Sequence, residues 1–158
     1  MRISLKENSH HKFMSLALAQ ARKAFKKDDV PVGAVLVKDG RVLAKAHNRI
    51  LAQRDPTAHA EILALRAAAH RLKNERLLGT ILYTTLEPCP MCAGALVLSR
   101  VAHVVFAAWD KKAGAGGSLL NLLHHPRLNH RITVTAGVKE RDSRLLLQRF
   151  FRQKRRKA

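Results

Sequence analysis

Cysteine and aromatic residues are scarce in this chain, and each shortage excludes a class of protein. The only cysteines, Cys89 and Cys92, are too few for the disulfide framework of a small secreted domain. Aromatic residues make up 4% of the 158 residues, so aliphatic side chains and alanine must fill most of the core. No apolar run approaches membrane-spanning length, and the N-terminus has no signal-peptide pattern. We therefore expect a cytoplasmic protein in a reducing compartment.

Acidic residues are also few. The chain has 11 Asp and Glu against 30 Lys and Arg, which gives a formal net charge of +19. Such an excess disfavours compaction unless a polyanion balances it, and nucleic acid and an anionic membrane surface are the two candidates. A generally basic proteome would produce the same surplus without any binding role. On charge alone we favour nucleic acid.

Hydrophobic periodicity and turn residues predict one domain, residues 1–158, in which helices and strands alternate. Helices are predicted over 9–27, 55–72, 90–100, 119–123 and 139–154, and strands over 32–37, 42–46, 81–86, 101–108 and 132–136. Residues 47–56 are predicted to be loop, with Asp55 and Pro56 starting the next helix. This order predicts a three-layer α/β/α sandwich around a mixed central sheet of about five strands.

The residues suited to metal chemistry fall in two short segments at predicted helix starts, HAE (59–61) and PCPMC (88–92). One imidazole, from His59, and two thiolates, from Cys89 and Cys92, form a soft ligand set suited to Zn²⁺. Three protein ligands leave the fourth tetrahedral position open to water, which zinc makes acidic near neutral pH. Glu61 is not needed as a ligand and is free to move protons. That combination is the chemistry of hydrolytic deamination.

Two other interpretations of these residues stay open at this point. A Cys-x-x-Cys pair after a strand is also typical of thioredoxin-like redox sites. A structural zinc site could use His125 and His130, whose spacing occurs in zinc fingers, but the gap from Cys92 is far longer than in a finger. We expect His124, His125 and His130 to be loop residues.

The pattern H-x-E followed by P-C-x-x-C is the signature of zinc-dependent nucleobase deaminases. Beyond it, the sequence resembles the bacterial tRNA-specific adenosine deaminase family, within the cytidine/deoxycytidylate deaminase superfamily, over roughly residues 9–152 in one register. The segments that carry the resemblance are PVGAV (31–35), NR (48–49), DPTAHAE (55–61), TLEPCPMCAGA (85–95), GS (117–118) and LLHHP (122–126).

The resemblance implies a cytidine-deaminase-like fold, a homodimer, one zinc ion per subunit, and conversion of the wobble adenosine of a tRNA anticodon loop to inosine. It places His59, Cys89 and Cys92 at the zinc ion and makes Glu61 the proton shuttle.

The resemblance also implies a set of substrate-binding residues. Asn48 would hydrogen-bond the target base and Asp110 would contact the nucleotide backbone beside it, with Ala60 in the same set. Without the family, an Asn or Asp in a loop is more often a turn former. Trp109 and His47 depart from the family pattern, and Trp109 could be either a stacking platform or a packing residue.

The predicted C-terminal helix is amphipathic and basic. An apolar side is expected to dock on the core while the arginines face phosphates, although a solvated basic face is the alternative. The apolar side consists of Leu146, Leu147, Phe150 and Phe151. The basic side consists of Arg141, Arg144, Arg149, Arg152, Arg155 and Arg156.

Two rival functions share parts of this pattern. A deaminase of free bases or nucleosides, such as guanine or cytidine, would use the same zinc chemistry, but the positive charge favours a polynucleotide. An RNA-binding module with structural zinc would have no use for an unligated carboxylate at Glu61.

Overall fold

The computed structural model describes residues 2–158, with side chains from residue 7 onward, and a five-stranded sheet lies at its centre. The strands are β1 (Gly33–Lys38), β2 (Arg41–His47), β3 (Thr80–Leu86), β4 (His103–Ala108) and β5 (Thr133–Ala136). The helices are α1 (Arg2–Lys26), α2 (Ile50–Gln53), α3 (Ala60–Leu72), α4 (Pro90–Leu98) and α5 (Glu140–Lys157).

The sheet is mixed and has the order β2-β1-β3-β4-β5. A tight hairpin makes β1 and β2 antiparallel, and β1 also pairs antiparallel with β3. From β3 onward the neighbours are parallel, and each parallel connection has a crossover: α4 lies between β3 and β4, and the segment 109–132 connects β4 to β5. The predicted mixed sheet of five strands is confirmed.

Alternate residues of β1, β3 and β4 enter two separate cores, as the side-chain period of a strand requires. In β4, Val104 and Phe106 face the core beneath α3 and α4, whereas Val105 and Ala107 face the core beneath α1. α5 contacts α1, β3 and β4 and so lies on the same face of the sheet as α1. The three-layer α/β/α sandwich predicted from the sequence is therefore confirmed.

Two loop assignments were wrong. The segment 119–123, predicted as a short helix, is an irregular loop in which an isolated bridge pairs Gly116 with Asn121. Conversely, the predicted loop 47–56 contains the single-turn helix α2, whose Leu51 N–H donates to the buried Asp29 carboxylate at 3.0 Å. The partner of α2, Asp29, is 22 residues away in the sequence, so no local pattern predicts that helix.

The start of α3 also differs from the prediction. Asp55 does not cap the helix: its Oδ1 accepts hydrogen bonds from Thr57 N at 2.8 Å and Thr57 Oγ1 at 2.7 Å, which closes a turn instead. The helix begins at Ala60, with His59 as its N-cap residue. At the N-terminus, α1 begins at Arg2 rather than at residue 9.

α5 docks less of its apolar side than predicted. Phe150 is buried and contacts Phe25 edge-to-face with a centroid separation of 5.7 Å. Phe151, expected on the docked side, is 44% exposed. Within residues 2–158, no helix has the combination of length and hydrophobicity that crossing a bilayer would require.

Candidate metal and catalytic site

The ends of four strands meet at one edge of the sheet, and the site residues follow from those ends. The register pairs Gly33, where β1 begins, with His47, where β2 ends, so Asn48 lies at this edge. β3 and β4 are parallel and end side by side, with Leu86 opposite Ala108. Consequently the segments that carry Cys89 and Asp110 leave the sheet at the same place, as ligand-binding segments in α/β folds commonly do.

Two helix N-termini converge above this edge and bring three metal-binding side chains together. His59 is the N-cap residue of α3. Cys89 is the N-cap residue of α4, and Pro90 follows it as the first residue of that helix. Cys92 lies three residues further along α4 and is buried. Their ligand atoms all lie within 4.8 Å of one another, and among the described residues no other group of three or more His, Cys, Asp or Glu does so.

The spacing of these atoms fits tetrahedral coordination. His59 Nδ1 lies 3.7 Å from Cys89 Sγ and 3.5 Å from Cys92 Sγ. For a tetrahedral zinc ion with ordinary Zn–N and Zn–S bond lengths, the expected N···S separation is about 3.6 Å. The residues therefore fit a zinc ion bound through Nδ1 and two sulfurs.

The electrostatics of the cluster favour a thiolate at Cys89. The pKa of Cys89 is lowered to about 4, chiefly because the Cys92 thiol hydrogen-bonds to its sulfur and also because His59 lies beside it. The hydrogen bond with Cys89 in turn raises the pKa of His59. A thiolate is the form of cysteine that binds a metal ion.

Glu61 lies against this cluster in a different environment. It is buried, its Oε1 accepts a hydrogen bond from Thr84 Oγ1 at 3.0 Å, and its Oε2 lies 3.6 Å from Cys92 Sγ. Burial raises the pKa of its carboxyl group, because the charged form loses its hydration. A carboxyl group tuned in this direction can both accept and release a proton, which is what a general acid–base residue needs.

Asn48 and Ala60 act as one unit at the start of α3. The Oδ1 atom of Asn48 accepts a hydrogen bond from Ala60 N at 2.8 Å, and both residues are buried. Because the oxygen is engaged with the helix, the part of Asn48 that it can present to a ligand is its amide N–H. Ala60 thus fixes the orientation of Asn48.

With this geometry established, comparison with known proteins identifies the family. Residues 8–155 match the MafB19-like deaminase family. The chain belongs to that deaminase family. The predicted resemblance to the bacterial tRNA-specific adenosine deaminases is confirmed as well: the tRNA-specific adenosine deaminase of Bacillus subtilis (strain 168) is 49% identical over 145 residues, 92% of this chain and 90% of that protein.

Solved structures agree with this family. One, from studies of A-to-I editing by tRNA:A34 deaminases at the wobble position of transfer RNA, matches this deaminase with a TM-score of 0.83 and 46% identity over 86% of this chain and 99% of the other. Another, the guanine deaminase from Nitrosomonas europaea, matches with a TM-score of 0.76 and 29% identity over 89% and 83%.

In the deaminase, Asp110 has the turn-forming role that a loop aspartate commonly takes. Its Oδ1 accepts hydrogen bonds from Lys112 N at 3.1 Å and Ala113 N at 3.2 Å. Its backbone N–H donates to Glu87 Oε1 at 2.9 Å. The Oδ1 atom of Asp110 is therefore used to shape the loop, and Oδ2 is the atom that Asp110 can offer to a ligand.

The sequence analysis missed Glu87, the residue that organises this side of the site. Its buried carboxylate accepts hydrogen bonds from the backbone N–H groups of Asp110, Gly116 and Ser118 at 2.9, 2.9 and 3.0 Å, and from the Ser118 hydroxyl. At Gly114 a side chain would collide with this carboxylate, so only glycine fits there. The signal available in the sequence was an acidic residue among apolar ones immediately before Pro88-Cys89.

His125 and His130, the pair of the zinc-finger alternative, and the neighbouring His124 are not part of the ligand cluster. His124 Nδ1 bonds to the carbonyl of Ile132 at 3.2 Å and His130 Nε2 to that of Val101 at 2.7 Å, while His125 accepts a hydrogen bond from Arg127 N. All three lie outside helices and strands, as predicted.

Proposed function

We propose that this deaminase converts the wobble adenosine of a tRNA anticodon loop to inosine by hydrolysis, with one zinc ion in each subunit. The observation that carries the proposal is the convergence of His59, Cys89 and Cys92 at tetrahedral spacing with the buried carboxylate of Glu61 beside them. The 49% identity to a tRNA-specific adenosine deaminase supports the choice of substrate.

His59 and the two cysteines would hold the zinc ion and leave one tetrahedral position free. A zinc ion in such a site supplies a water molecule that ionises near neutral pH. Glu61 lies beside the cluster, with one carboxylate oxygen hydrogen-bonded to Thr84, and would not be needed for coordination.

Glu61 would manage the protons of the reaction. Its carboxylate takes a proton from the attacking water and delivers it to N1 of adenine, which makes C6 more electrophilic. Glu61 then takes a second proton, from the hydroxyl group now bonded to C6, and delivers it to the departing amino group, so that the C6 oxygen becomes a carbonyl and ammonia leaves as a neutral molecule. The raised pKa of this buried carboxyl group supports both transfers.

The substrate-binding set would be Asn48, Asp110 and Ala60. Asn48 donates an amide N–H to an acceptor atom of the target base, and Ala60 contributes by holding the Asn48 oxygen. Asp110 accepts from a sugar hydroxyl of the neighbouring nucleotide through its Oδ2. A base inside a duplex cannot reach such a site, so the substrate is a loop nucleotide that is already unstacked.

The basic surface supports an RNA substrate over a free base. Six arginines of α5, at positions 141, 144, 149, 152, 155 and 156, are all exposed. Exposed arginines bind phosphates and give affinity without sequence preference. A free base carries no phosphate and would gain nothing from them.

The direct test is incubation of the zinc-loaded enzyme with an anticodon stem-loop RNA that has adenosine at the wobble position, followed by nucleoside analysis. We expect inosine, and we expect a chelator to suppress it. The 29% identity to a guanine deaminase defines the competing outcome. Release of ammonia from free guanine or cytidine, with none from the RNA, would replace our proposal with that function.

We also propose that residues 1–158 form one domain that works as a homodimer in the cytoplasm. Besides the family resemblance, exposed leucines support the dimer: Leu98 in α4 is 82% exposed, and Leu51 and Leu119 are more than half exposed. Sedimentation analysis should give twice the chain mass, and Leu98→Asp should shift the equilibrium towards monomer. A monomer at micromolar concentration would contradict the dimer.

A further inference from the structure

A basic cleft, which we call the α5 cleft, opens beside Asp110. It has a volume of about 1150 Å³ and runs between the segment 108–112 and the face of α5. Its lining contains two acidic residues, Asp110 and Glu140, and six cations. These are Lys111, Lys112, Arg144, Arg152, Lys154 and Arg155. The cleft therefore begins at the residue proposed to contact the substrate backbone and carries an excess of positive charge.

A smaller niche of about 560 Å³ adjoins the cleft, and Trp109 lines both. The other walls of the niche include Lys111, Ser118 and Arg144. Glu140, the acidic residue in this wall, lies 3.7 Å from the guanidinium of Arg144 and is paired with it. The niche is within the size range of ligand pockets, about 300–1,000 Å³.

Trp109 is anchored on one side and exposed on the other. Its ring packs perpendicular to that of Phe106, with centroids 4.9 Å apart, and its outer edge lies against Gly117. The backbone immediately after it is fixed by the hydrogen bond from Asp110 N to Glu87. Nevertheless the side chain is 44% exposed. Tryptophan side chains are highly buried on average, so Trp109 is more exposed than is usual for its type.

Proteins that bind single-stranded nucleic acids commonly present an exposed aromatic ring among lysines and arginines. Bases stack on the ring, and the cations bind the phosphates. We propose that Trp109 is a stacking platform for a nucleotide that flanks the target adenosine, with Lys111 and Arg144 binding its phosphates. This inference rests on the proposed RNA substrate. It gives Trp109 a modest influence on which flanking bases are preferred, because stacking strength differs among bases.

Trp109 is the only tryptophan in the chain, so its fluorescence reports on this position directly. The first measurement mixes the zinc-loaded wild-type enzyme with the anticodon stem-loop and records tryptophan fluorescence within the first turnover. We expect quenching by the intact loop. An abasic site at one of the two nucleotides flanking the wobble adenosine should abolish that quenching, and an abasic site at the other should not. No protein variant is needed, so the result does not depend on the folding of a mutant.

The second measurement uses variants. Trp109→Ala should raise KM for the stem-loop about tenfold and leave kcat within about twofold, and Trp109→Phe should restore most of the affinity. Lys111→Gln should raise KM by a smaller factor. Its matched control is Lys45→Gln, which removes one exposed lysine from β2, at the far side of the sheet, and should leave KM unchanged.

The possible outcomes separate this inference from the proposed function. If wild-type enzyme makes inosine but neither abasic site alters the quenching, or Trp109→Ala leaves KM unchanged, the stacking role is wrong and the function stands. If, without RNA, the tryptophan emission per protein molecule changes when the protein is diluted, Trp109 belongs to a contact between subunits and the stacking role is again wrong. If the wild-type enzyme makes no inosine, the proposed function itself fails.

Discussion

Glu61 is two residues from His59, yet the two side chains have different surroundings and different tasks. His59 is half-buried among sulfurs, and Glu61 is buried against Thr84 with a raised pKa. At the residue scale the account depends on this separation between holding the metal ion and moving protons.

Replacement of Glu61 by alanine tests the separation. Glu61→Ala should keep about one zinc ion per subunit while turnover of the stem-loop falls by about 10²–10⁴-fold or more, since general acid–base catalysis is worth that much. Metal content by mass spectrometry and inosine by chromatography measure the two effects. Near-normal inosine formation would refute the proton role, and loss of zinc would mean that Glu61 is a ligand.

Tyr83 provides a prediction outside the site. It is the only tyrosine, it is 1% exposed, and its hydroxyl lies 2.8 Å from His10 Nδ1. Burial raises its pKa to about 12, above the value of about 10 for an unfolded chain. The folded state favours the neutral phenol. The contribution of Tyr83 to the stability of the folded protein is therefore complete below about pH 10 and is lost as the pH rises through about 12.

Ultraviolet titration of the phenolate checks this prediction. The folded protein should show one ionisation near pH 12, while the protein in denaturant shows it near pH 10. Tyr83→Phe should remove the signal from both titrations. A phenolate signal near pH 10 in protein that is still folded would mean that Tyr83 is solvated.

The residues of the site were predictable to different degrees. Cys89, Cys92, His59 and Glu61 have rare chemistry at characteristic spacing, and the structure brings them together as expected. Glu87 has no such signature, because its partners are backbone N–H groups more than twenty residues away.

At the scale of elements, Glu87 holds the loop from Asp110 to Ser118 against the start of α4. Pro88 O, next in the chain, also accepts a hydrogen bond from Ala115 N at 2.7 Å. One buried carboxylate thus anchors the loop that carries Asp110. Removing its charge should leave several N–H groups poorly paired.

Glu87→Gln should destabilise the protein by about 3 kcal/mol, because the amide replaces one acceptor oxygen with a donor facing N–H groups. For a chain of this size that corresponds to a fall in Tm of about 6–12 °C. Thermal unfolding gives the shift, and amide exchange should rise selectively within residues 110–118. The exposed Glu75→Gln is the matched control, with little expected change. Equal Tm values for the two variants would show that Glu87 does not anchor the loop.

Element boundaries were the least predictable feature. Asp55-Pro56 is a good local helix start, but Asp55 closes a turn with Thr57 and the helix starts at Ala60 after Asn48 binds its N-terminus. The apolar run 119–123 was predicted as helix from composition, whereas the Glu87 carboxylate and the Gly116–Asn121 bridge shape that loop. In both cases a distant partner decides a local choice.

At the scale of the whole molecule, the strand and helix order was predictable because both periodicities are clear. The alternation within β4 separates two cores, and the hairpin at Asp39-Gly40 fixes the register of β1 and β2. The exposure of Phe151 was not predictable from the sequence, because it depends on how far α5 extends beyond the core that buries Phe150.

The net charge of +19 gives a whole-molecule prediction. If the protein neutralises three phosphates of the RNA, raising salt from about 50 to about 200 mM should weaken binding about 20-fold, while kcat stays constant. Arg152→Gln with Arg155→Gln should make the dependence of log KM on log salt shallower, by about 0.7 for each phosphate that is no longer neutralised. Lys45→Gln should leave it unchanged. A KM that does not respond to salt would contradict phosphate binding by α5.

The central claim is a zinc ion bound by one nitrogen and two sulfurs with a fourth position free for water. X-ray absorption at the zinc edge of the purified enzyme measures this coordination directly. We predict two sulfur neighbours at about 2.3 Å and two nitrogen or oxygen neighbours at about 2.0–2.1 Å, one from His59 and one from solvent. Absence of zinc, or a closed shell with a further protein ligand in the fourth position, would contradict the account.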